Sequence, residues 1–297
     1  MEEIKKHKAG FVSLVGKPNV GKSTLMNVLM DENLSIITPK AQTTRHRIQG
    51  IISGDDYQIV YSDTPGIIEP KYKLHENMMS FVSQSLEDAD VILFITDIYE
   101  KHSEDHVIER LNKTSTPVFV LINKIDQVKD QSEVMEKIEY WKEKFNAAEV
   151  IPISALEKFN TKVIFDKILD LIPEHPAYFD SDSMTDKPER FFVSEIVREK
   201  IFLNYKKEVP YSCEVLVTEF QEEESIIRVR VEILVERESQ RSIIIGQKGE
   251  AIKRLGIDSR KDLEAFFKKQ FFIQTFVKVE KDWRKNENAL RKFGYES

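Results

Sequence analysis

The chain has 297 residues, of which 41% are hydrophobic and 32% are charged, and its formal net charge is −7 at pH 7. This composition predicts a soluble globular protein with room for two domains, and the apolar runs are too short for a membrane-spanning helix. A single cysteine, Cys213, excludes an internal disulfide and fits a reducing compartment. The charged start of the chain lacks the apolar core of a signal peptide, so we expect a cytoplasmic protein.

A phosphate-binding loop is predicted near the amino terminus. The apolar run 11–15 predicts a short buried strand, residues 24–30 predict a helix, and the residues between them fit the pattern GxxxxGK[ST]. The glycines let successive N–H groups point at phosphate oxygens, and the helix adds the partial positive charge of its N-terminus. In this motif Lys22 reaches the β- and γ-phosphates and the Ser23 hydroxyl ligates Mg²⁺. The predicted nucleotide-binding residues of the loop are Gly16, Asn19, Val20, Gly21, Lys22, Ser23 and Thr24.

Apolar runs alternate with amphipathic helical runs as far as about residue 172. Further strands are predicted at 57–62, 91–96, 118–122 and 150–153, and further helices at 76–89, 103–113, 132–145 and 161–172. This alternation predicts an α/β domain, residues 8–173, with a mostly parallel six-stranded sheet and helices on both faces. The ligand site of such a sheet lies at the carboxyl ends of its strands.

Further candidate motifs directly follow predicted strands. In Asp63-Thr64-Pro65-Gly66, the aspartate can hold Mg²⁺ through water, and the Gly66 N–H can sense the γ-phosphate. In Asn123-Lys124-Ile125-Asp126, the Asp126 carboxylate can accept two hydrogen bonds from N1–H and the exocyclic amine of guanine, a pair that adenine cannot donate. Asn123 can tie this loop to the phosphate loop, and the Lys124 stem can lie over the base. After the last strand, backbone N–H groups for guanine O6 are predicted at Ser154, Ala155 and Leu156.

The order of these motifs resembles the translation-factor-related GTPases. The segment at 42–47, QTTRHR, is similar to the first switch of the Era branch of that family. The resemblance implies that one threonine ligates Mg²⁺ only when the γ-phosphate is present, and its position favours Thr44 over Thr43. The catalytic residues are therefore predicted to be Lys22, Thr44, Asp63, Gly66 and Asn19, and the metal ligands Ser23, Thr44 and Asp63.

One position departs from the signalling GTPases, which place a glutamine after the DxxG glycine to orient the attacking water. Ile67 stands there and cannot hydrogen-bond to water. This predicts slow intrinsic hydrolysis, or a water held by the backbone, by Thr44 or by a cation. In related GTPases the asparagine of this phosphate loop can coordinate K⁺, so Asn19 is either a potassium ligand or a turn former.

A second domain is predicted after a linker. Residues 174–190 are rich in Pro, Ser and Asp and predict a linker that lets the domains rotate. Residues 191–297 follow the order helix, strand, strand, helix, GxxG, helix, strand, which matches the α+β type II K homology domain. Residues 241–293 carry 14 Lys/Arg against 7 Asp/Glu, so a basic face is confined to this part of the chain.

The GxxG loop at 246–249 is the predicted RNA clamp. In this fold the loop holds about four single-stranded nucleotides through the backbone, and the glycines allow a closer approach than a Cβ would. The isoleucines around it are predicted to form an apolar floor beneath the bases, and the basic residues to contact phosphates. The predicted RNA-binding residues are Ile244, Ile245, Gly246, Gln247, Lys248, Gly249, Ile252, Lys253 and Arg254.

The join of the two domains, with residues 195–201 and 283–295, is similar to the Era family of bacterial GTPases. The resemblance extends over nearly the whole chain. It implies a GTP- and Mg²⁺-dependent switch that binds the 3′ end of 16S ribosomal RNA and assists maturation of the 30S subunit, with peripheral contact to the inner face of the cell membrane. We expect a monomer with no metal beyond the nucleotide-bound Mg²⁺. The open alternative is a GTPase whose second domain docks to a protein or membrane partner.

Overall fold

The computed structural model describes residues 7–100 and 106–295, which divide into two compact units. The first unit comprises the described parts of Met1–Ser35, Thr44–Glu69 and Met78–Asp186. The second comprises Ile36–Thr43, Pro70–Asn77 and the described part of Lys187–Ser297. Two short stretches of the amino-terminal half are therefore grouped with the carboxyl-terminal domain.

The first unit contains a six-stranded sheet in the order β2-β3-β1-β4-β5-β6. The strands are β1 (Lys8–Val15), β2 (Ile48–Ser53), β3 (Tyr57–Asp63), β4 (Val91–Asp97), β5 (Val118–Asn123) and β6 (Glu149–Pro152). The helices before the second domain are α1 (Lys22–Met30), α2 (Lys73–Asp88), α3 (His106–Lys113), α4 (Gln131–Lys144) and α5 (Thr161–Leu171). Strand β2 runs antiparallel to β3 and the other pairs are parallel, which confirms the predicted sheet. The predicted start of α3 at residue 103 lies outside the described residues.

Burial explains which strands the sequence predicts. Strands β4 and β5 are almost wholly buried and appear in the sequence as continuous apolar runs, as expected for parallel strands covered on both faces. Strand β2 lies at the edge of the sheet, and its sequence IQGIIS includes a glycine and is only half buried. No predicted strand covered these residues, because neither a continuous apolar run nor a strict alternation marks them.

Much of the predicted linker is bound to the first unit. The buried side chain of Gln58 accepts hydrogen bonds from the backbone N–H groups of Tyr178 (2.7 Å) and Phe179 (3.0 Å). The N–H of Ile51 in β2 donates to the carbonyl of Met184 at 2.9 Å. Helix α6 begins at Glu189. Residues 178–186, where the sequence predicts part of a linker, are therefore hydrogen-bonded to strands of the first unit and grouped with it.

The carboxyl-terminal domain packs helices against a three-stranded sheet in the order β7-β8-β9. Its elements are α6 (Glu189–Asn204), β7 (Glu214–Glu222), β8 (Ile226–Val235), α7 (Glu238–Ile245), α8 (Glu250–Phe267), β9 (Gln270–Val279) and α9 (Glu287–Lys292). Strands β7 and β8 are antiparallel, whereas β8 and β9 are parallel. This confirms the predicted order of elements. In the described ranges, no helix combines the length and apolarity needed to span a membrane.

Candidate functional site

The loop between β1 and α1 has the backbone of a phosphate cradle. Gly21 caps α1 at φ +100°, and Asn19 also takes a positive φ of 66°. A Cβ on Gly21 would lie 2.2 Å from Nδ2 of Asn123, so only glycine fits there. Val20 is buried behind the loop, and α1 begins at Lys22, so Ser23 and Thr24 lie in its first turn. The turn therefore points its N–H groups at the position a phosphate takes.

The side chain of Lys22 folds back into this loop. Its ammonium group donates to the carbonyls of Gly16 (3.1 Å) and Lys17 (2.8 Å). Burial lowers the pKa of Lys22 to about 8, although the carboxylates of Asp63 and Glu100 oppose that shift. A buried cation that donates to backbone carbonyls is poised to exchange them for phosphate oxygens.

Three side-chain oxygens converge beside the loop. The Ser23 hydroxyl donates to Oδ2 of Asp63 at 2.7 Å, and Oγ1 of Thr44 lies 2.9 Å from Ser23 Oγ and 3.4 Å from Asp63 Oδ2. Burial raises the pKa of Asp63, and the hydrogen bond from Ser23 opposes the rise. The other carboxylate oxygen, Oδ1, is buried and has no hydrogen-bond partner in the described part of the chain. This set fits Mg²⁺, which prefers hard oxygen ligands.

Asn123, at the end of β5, joins three loops. Its Nδ2 donates to the carbonyl of Val20 at 2.8 Å, and its Oδ1 accepts from the backbone N–H groups of Lys124 (2.8 Å) and Ala155 (2.9 Å). The phosphate loop, the NKxD loop and the loop after β6 therefore meet at one buried amide. The sequence predicts the contact of Asn123 with the phosphate loop but not its contact with the loop after β6.

The remaining candidates for reading a base surround this amide. Asp126 is exposed, and its Oδ1 accepts a hydrogen bond from Ser154 Oγ at 2.5 Å. Lys124 donates to the carbonyl of Asn19 at 2.6 Å and to Oδ2 of Asp97 at 3.1 Å. Leu156 is 71% exposed. The Asp126 side chain is therefore open to solvent while Ser154 holds one of its carboxylate oxygens.

The DxxG segment reaches the phosphate loop through its backbone. The N–H of Ile67, directly after Gly66, donates to the carbonyl of Gly16 at 3.0 Å. The Ile67 side chain packs against the hydrophobic core that includes Phe94. The residue in the glutamine position therefore serves packing and offers no group that could orient a water molecule.

Sequence reasoning missed two acidic residues of this site. Asp97 ends β4 and pairs with Lys124, and Glu100 forms an ion pair of 3.1 Å with Lys17 of the phosphate loop. The signal that could have found Asp97 is its position, because it follows a buried strand just as Asp63 and Asn123 do.

The GxxG loop has the expected glycine conformations. Gly246 takes φ +72° and Gly249 takes φ +80°, with Lys248 also at a positive φ of 49°. A Cβ on Gly246 would lie 2.5 Å from Cβ of Ala251. The side chains of the exposed polar and basic candidates extend from the loop and the first turns of α8: Gln247, Lys248, Lys253 and Arg254.

The predicted apolar floor needs one correction. Ile244 is wholly buried in the core of the domain, and its carbonyl accepts a hydrogen bond from the Tyr205 hydroxyl at 2.9 Å. It cannot contact a base, because its position on α7 faces the sheet. Ile243 is 52% exposed, whereas Ile245 and Ile252 are half buried. The isoleucine that sequence reasoning omitted is the accessible one.

Comparisons with known proteins agree with this architecture. A family model described as "50S ribosome-binding GTPase" matches residues 11–124, and a KH domain model matches residues 208–284. The chain is 43% identical over 293 residues to GTPase Era of Thermoanaerobacter sp. (strain X514), covering 97% of both chains.

Two solved structures are also similar. The structure of Era in complex with MgGDPNP and nucleotides 1506–1542 of 16S ribosomal RNA superimposes with a TM-score of 0.93 at 40% identity, covering 98% of this chain and 100% of that one. An Aquifex aeolicus Era variant bound to GDP·AlF4⁻ gives the same TM-score, identity and coverage. The chain therefore belongs to the Era family of GTPases, with a P-loop GTPase domain followed by a K homology domain.

Proposed function

We propose that this chain binds GTP with Mg²⁺, hydrolyses it to GDP and phosphate, and binds single-stranded RNA at the 3′ end of 16S ribosomal RNA during maturation of the 30S subunit. The observation that carries the nucleotide part is the buried amide of Asn123, which joins the three loops a guanosine phosphate must contact. The relative whose structure contains MgGDPNP and 16S ribosomal RNA supports both parts.

Each nucleotide-site residue has a role in this proposal. Lys22 would exchange its two carbonyl partners for β- and γ-phosphate oxygens, while Ser23 and Thr44 would hold the Mg²⁺ and Asp63 would act through water. Bound Mg²⁺ would neutralise charge that develops on the phosphate oxygens. Asp126 accepts the two guanine donors. Contact with O6 is left to the N–H of Leu156, because those of Ser154 and Ala155 donate to the Phe159 carbonyl and to Asn123 Oδ1.

Hydrolysis requires a water that attacks the γ-phosphorus while the bond to the β–γ bridging oxygen breaks. Because the aliphatic side chain of Ile67 cannot hydrogen-bond, we propose that this water is oriented by backbone groups or by Thr44. We assign to Asn19 the role of a K⁺ ligand that supplies positive charge near the phosphates. The backbone of Asn19 is left-handed, with a φ of 66°. This conformation is compatible with the K⁺ role and with that of a turn former.

Two considerations support the RNA part. The glycine conformations of the loop at 246–249 leave its backbone open, and Lys248, Lys253 and Arg254 supply positive charge beside it. We propose that the GTP state favours RNA binding, in which case RNA favours the GTP state by the same free energy. The activity belongs in the cytoplasm, and peripheral membrane contact stays a prediction from the family resemblance.

The guanine assignment is tested by Asp126→Asn. The variant should lose affinity for GDP and gain affinity for XDP, because an amide can donate to the additional carbonyl of xanthine. Fluorescent nucleotide titrations measure both affinities, and Asp130→Asn, at the exposed N-cap of α4, is the matched control. Unchanged guanine preference in Asp126→Asn would mean that the base is read elsewhere.

The RNA assignment is tested by adding negative charge to the loop. A Cβ on Gly249 meets nothing within 4 Å, although its φ of +80° strains any residue with a side chain. Gly249→Asn, which carries the same strain without the charge, is therefore the matched control for Gly249→Asp. We expect loss of binding to a 3′-terminal 16S RNA oligonucleotide for Gly249→Asp alone, measured by fluorescence anisotropy. If both variants bind RNA like the wild type, the second domain docks to a protein or membrane partner.

A further inference from the structure

The stretch Ile36–Thr43 is bound along helix α6 within the second unit. The backbone N–H of Ile37 donates to Oε1 of Glu199 at 3.3 Å. The Lys40 ammonium donates to the carbonyls of Phe202 and Tyr205, at the carboxyl end of α6. The last carbonyls of a helix have no partner within it, and a cation there is favourable. Lys40 therefore caps the helix, and in doing so it fixes the stretch.

The stretch is also tied to itself. The hydroxyls of Thr38 and Thr43 lie 2.6 Å apart, and the Thr43 hydroxyl donates to the carbonyl of Lys40 at 2.7 Å. The Lys40 N–H donates to Oγ1 of Thr38 at 3.2 Å. These bonds close residues 38–43 into one compact turn, so a displacement of Lys40 from the helix end is transmitted to Thr43.

The end of this turn is held by a buried ion pair. Arg198 and Glu195 of α6 are both almost fully buried, and the guanidinium donates to both carboxylate oxygens of Glu195. The same Arg198 donates to the backbone carbonyl of Thr43. Burying such a pair is costly unless hydrogen bonds compensate, and the Thr43 carbonyl accepts one of the bonds that Arg198 donates.

We propose that Arg198 and Lys40 are positioning residues for GTP hydrolysis, because together they fix the peptide that precedes Thr44. The carbonyl of Thr43 and the backbone nitrogen of Thr44 belong to the same planar peptide unit. Holding that carbonyl therefore fixes the orientation of the peptide plane that leads into Thr44. The inference rests on the proposed role of Thr44 as a Mg²⁺ ligand. It adds that contacts with helix α6 hold the residue that precedes that ligand.

The test separates positioning from general stability. Lys40→Met removes a half-buried surface cation, and Arg198→Lys keeps the buried charge but loses the bidentate geometry. Lys269→Met, which removes a lysine bound to Glu222 in the same unit, is the matched control. We expect kcat for GTP hydrolysis to fall on the order of tenfold in the first two variants, as small misplacements of reacting groups do, with GDP affinity within about twofold of the wild type.

Two further variants, Lys40→Arg and Thr44→Ala, distinguish failure of the positioning role from failure of the proposed function. Lys40→Arg should restore most of kcat, since a guanidinium can donate to both carbonyls. If Thr44→Ala lowers kcat but Lys40→Met and Arg198→Lys do not, the positioning role is wrong and the proposed function stands. If Thr44→Ala leaves kcat unchanged, the Mg²⁺ role of Thr44 fails and the inference with it. A parallel loss of kcat and GDP affinity in Lys40→Met would show general damage and overturn the inference.

Discussion

The side-chain amide of Asn123 donates to the backbone carbonyl of Val20 across 2.8 Å, although 103 residues separate them in the chain. Asn123 ends β5, and Val20 lies in the loop that follows β1. Strand β4 lies between these two strands in the sheet. A single buried contact thus fixes the distance between the loop after β1 and the loop after β5.

Removing that contact should weaken nucleotide binding and stability together. In Asn123→Ala, the carbonyl of Val20 and the N–H of Ala155 lose a buried partner, at about 1–3 kcal/mol for each unsatisfied group. We expect GDP affinity to fall by at least about tenfold and the melting temperature to decrease. Asn112→Ala, which removes an exposed acceptor in the same unit, should change neither. Wild-type GDP affinity in Asn123→Ala would contradict the role of the amide.

The lowered pKa of Lys22 predicts a pH dependence of nucleotide binding. The pKa of about 8 in the free protein must rise when phosphates bind, because they favour the charged ammonium. Below pH 8 Lys22 is charged in both states. Between about pH 8 and the ordinary lysine value of 10.5, binding takes up a proton, and affinity falls by up to about tenfold per pH unit.

Calorimetric titration of GDP in buffers of different ionisation enthalpy measures this proton directly. We expect uptake approaching one proton near pH 9 and almost none near pH 7. In the free protein the same group makes the free energy of unfolding rise through this window, since the unfolded chain holds the additional proton. Equal uptake at both pH values would show that Lys22 is not the titrating group.

The position of Ile67 predicts a dependence of hydrolysis on monovalent cations. If Asn19 holds K⁺, kcat should be higher in KCl than in NaCl for the wild type, and Asn19→Ala should remove the difference. Phosphate release assays at matched ionic strength measure both. Equal rates in the two salts for the wild type would leave Asn19 as a turn former, with its positive φ as its structural role.

The two neighbouring isoleucines of α7 should behave in opposite ways. Ile244→Ala opens a cavity in the core, which costs about 2–5 kcal/mol of unfolding free energy. Ile243→Ala removes a side chain that is 52% exposed and should change stability little, while it weakens RNA binding. Urea unfolding and RNA anisotropy on the same preparations distinguish the two. Weakened RNA binding by Ile244→Ala in a fully folded protein would contradict the assignment.

The sequence predicts most of the nucleotide-site residues because they follow buried strands, whose carboxyl ends meet at one edge of the sheet. Asp63 and Asn123 each end a buried strand, and parallel strands bring such ends to one edge of the sheet. Asp97 follows the same rule, but no familiar motif surrounds it. The side of α7 that faces the core could not be predicted. Three consecutive isoleucines are equally apolar, and only the packing of the helix decides which of them is buried.

The contacts of Ile36–Thr43 with helix α6 could not be predicted from the pattern of residues. They join residues about 160 positions apart, and most use backbone carbonyls, which every residue carries. Only the charged pair of Glu195 and Arg198, spaced one helical turn apart, leaves a trace in the sequence, and that spacing is equally typical of an exposed helix.

The segment 178–186 affects the tendency of the protein to aggregate at high concentration. Strand β2 ends the sheet, and an uncovered outer strand is a template onto which a foreign strand can add. Here Met184 and Thr185 already occupy hydrogen-bonding positions along Ile51 and Gly50. This segment therefore covers the outer edge of β2. Asp186→Ala, which removes the acceptor of the Gln49 N–H, should loosen the segment and favour aggregation before it affects GTP hydrolysis.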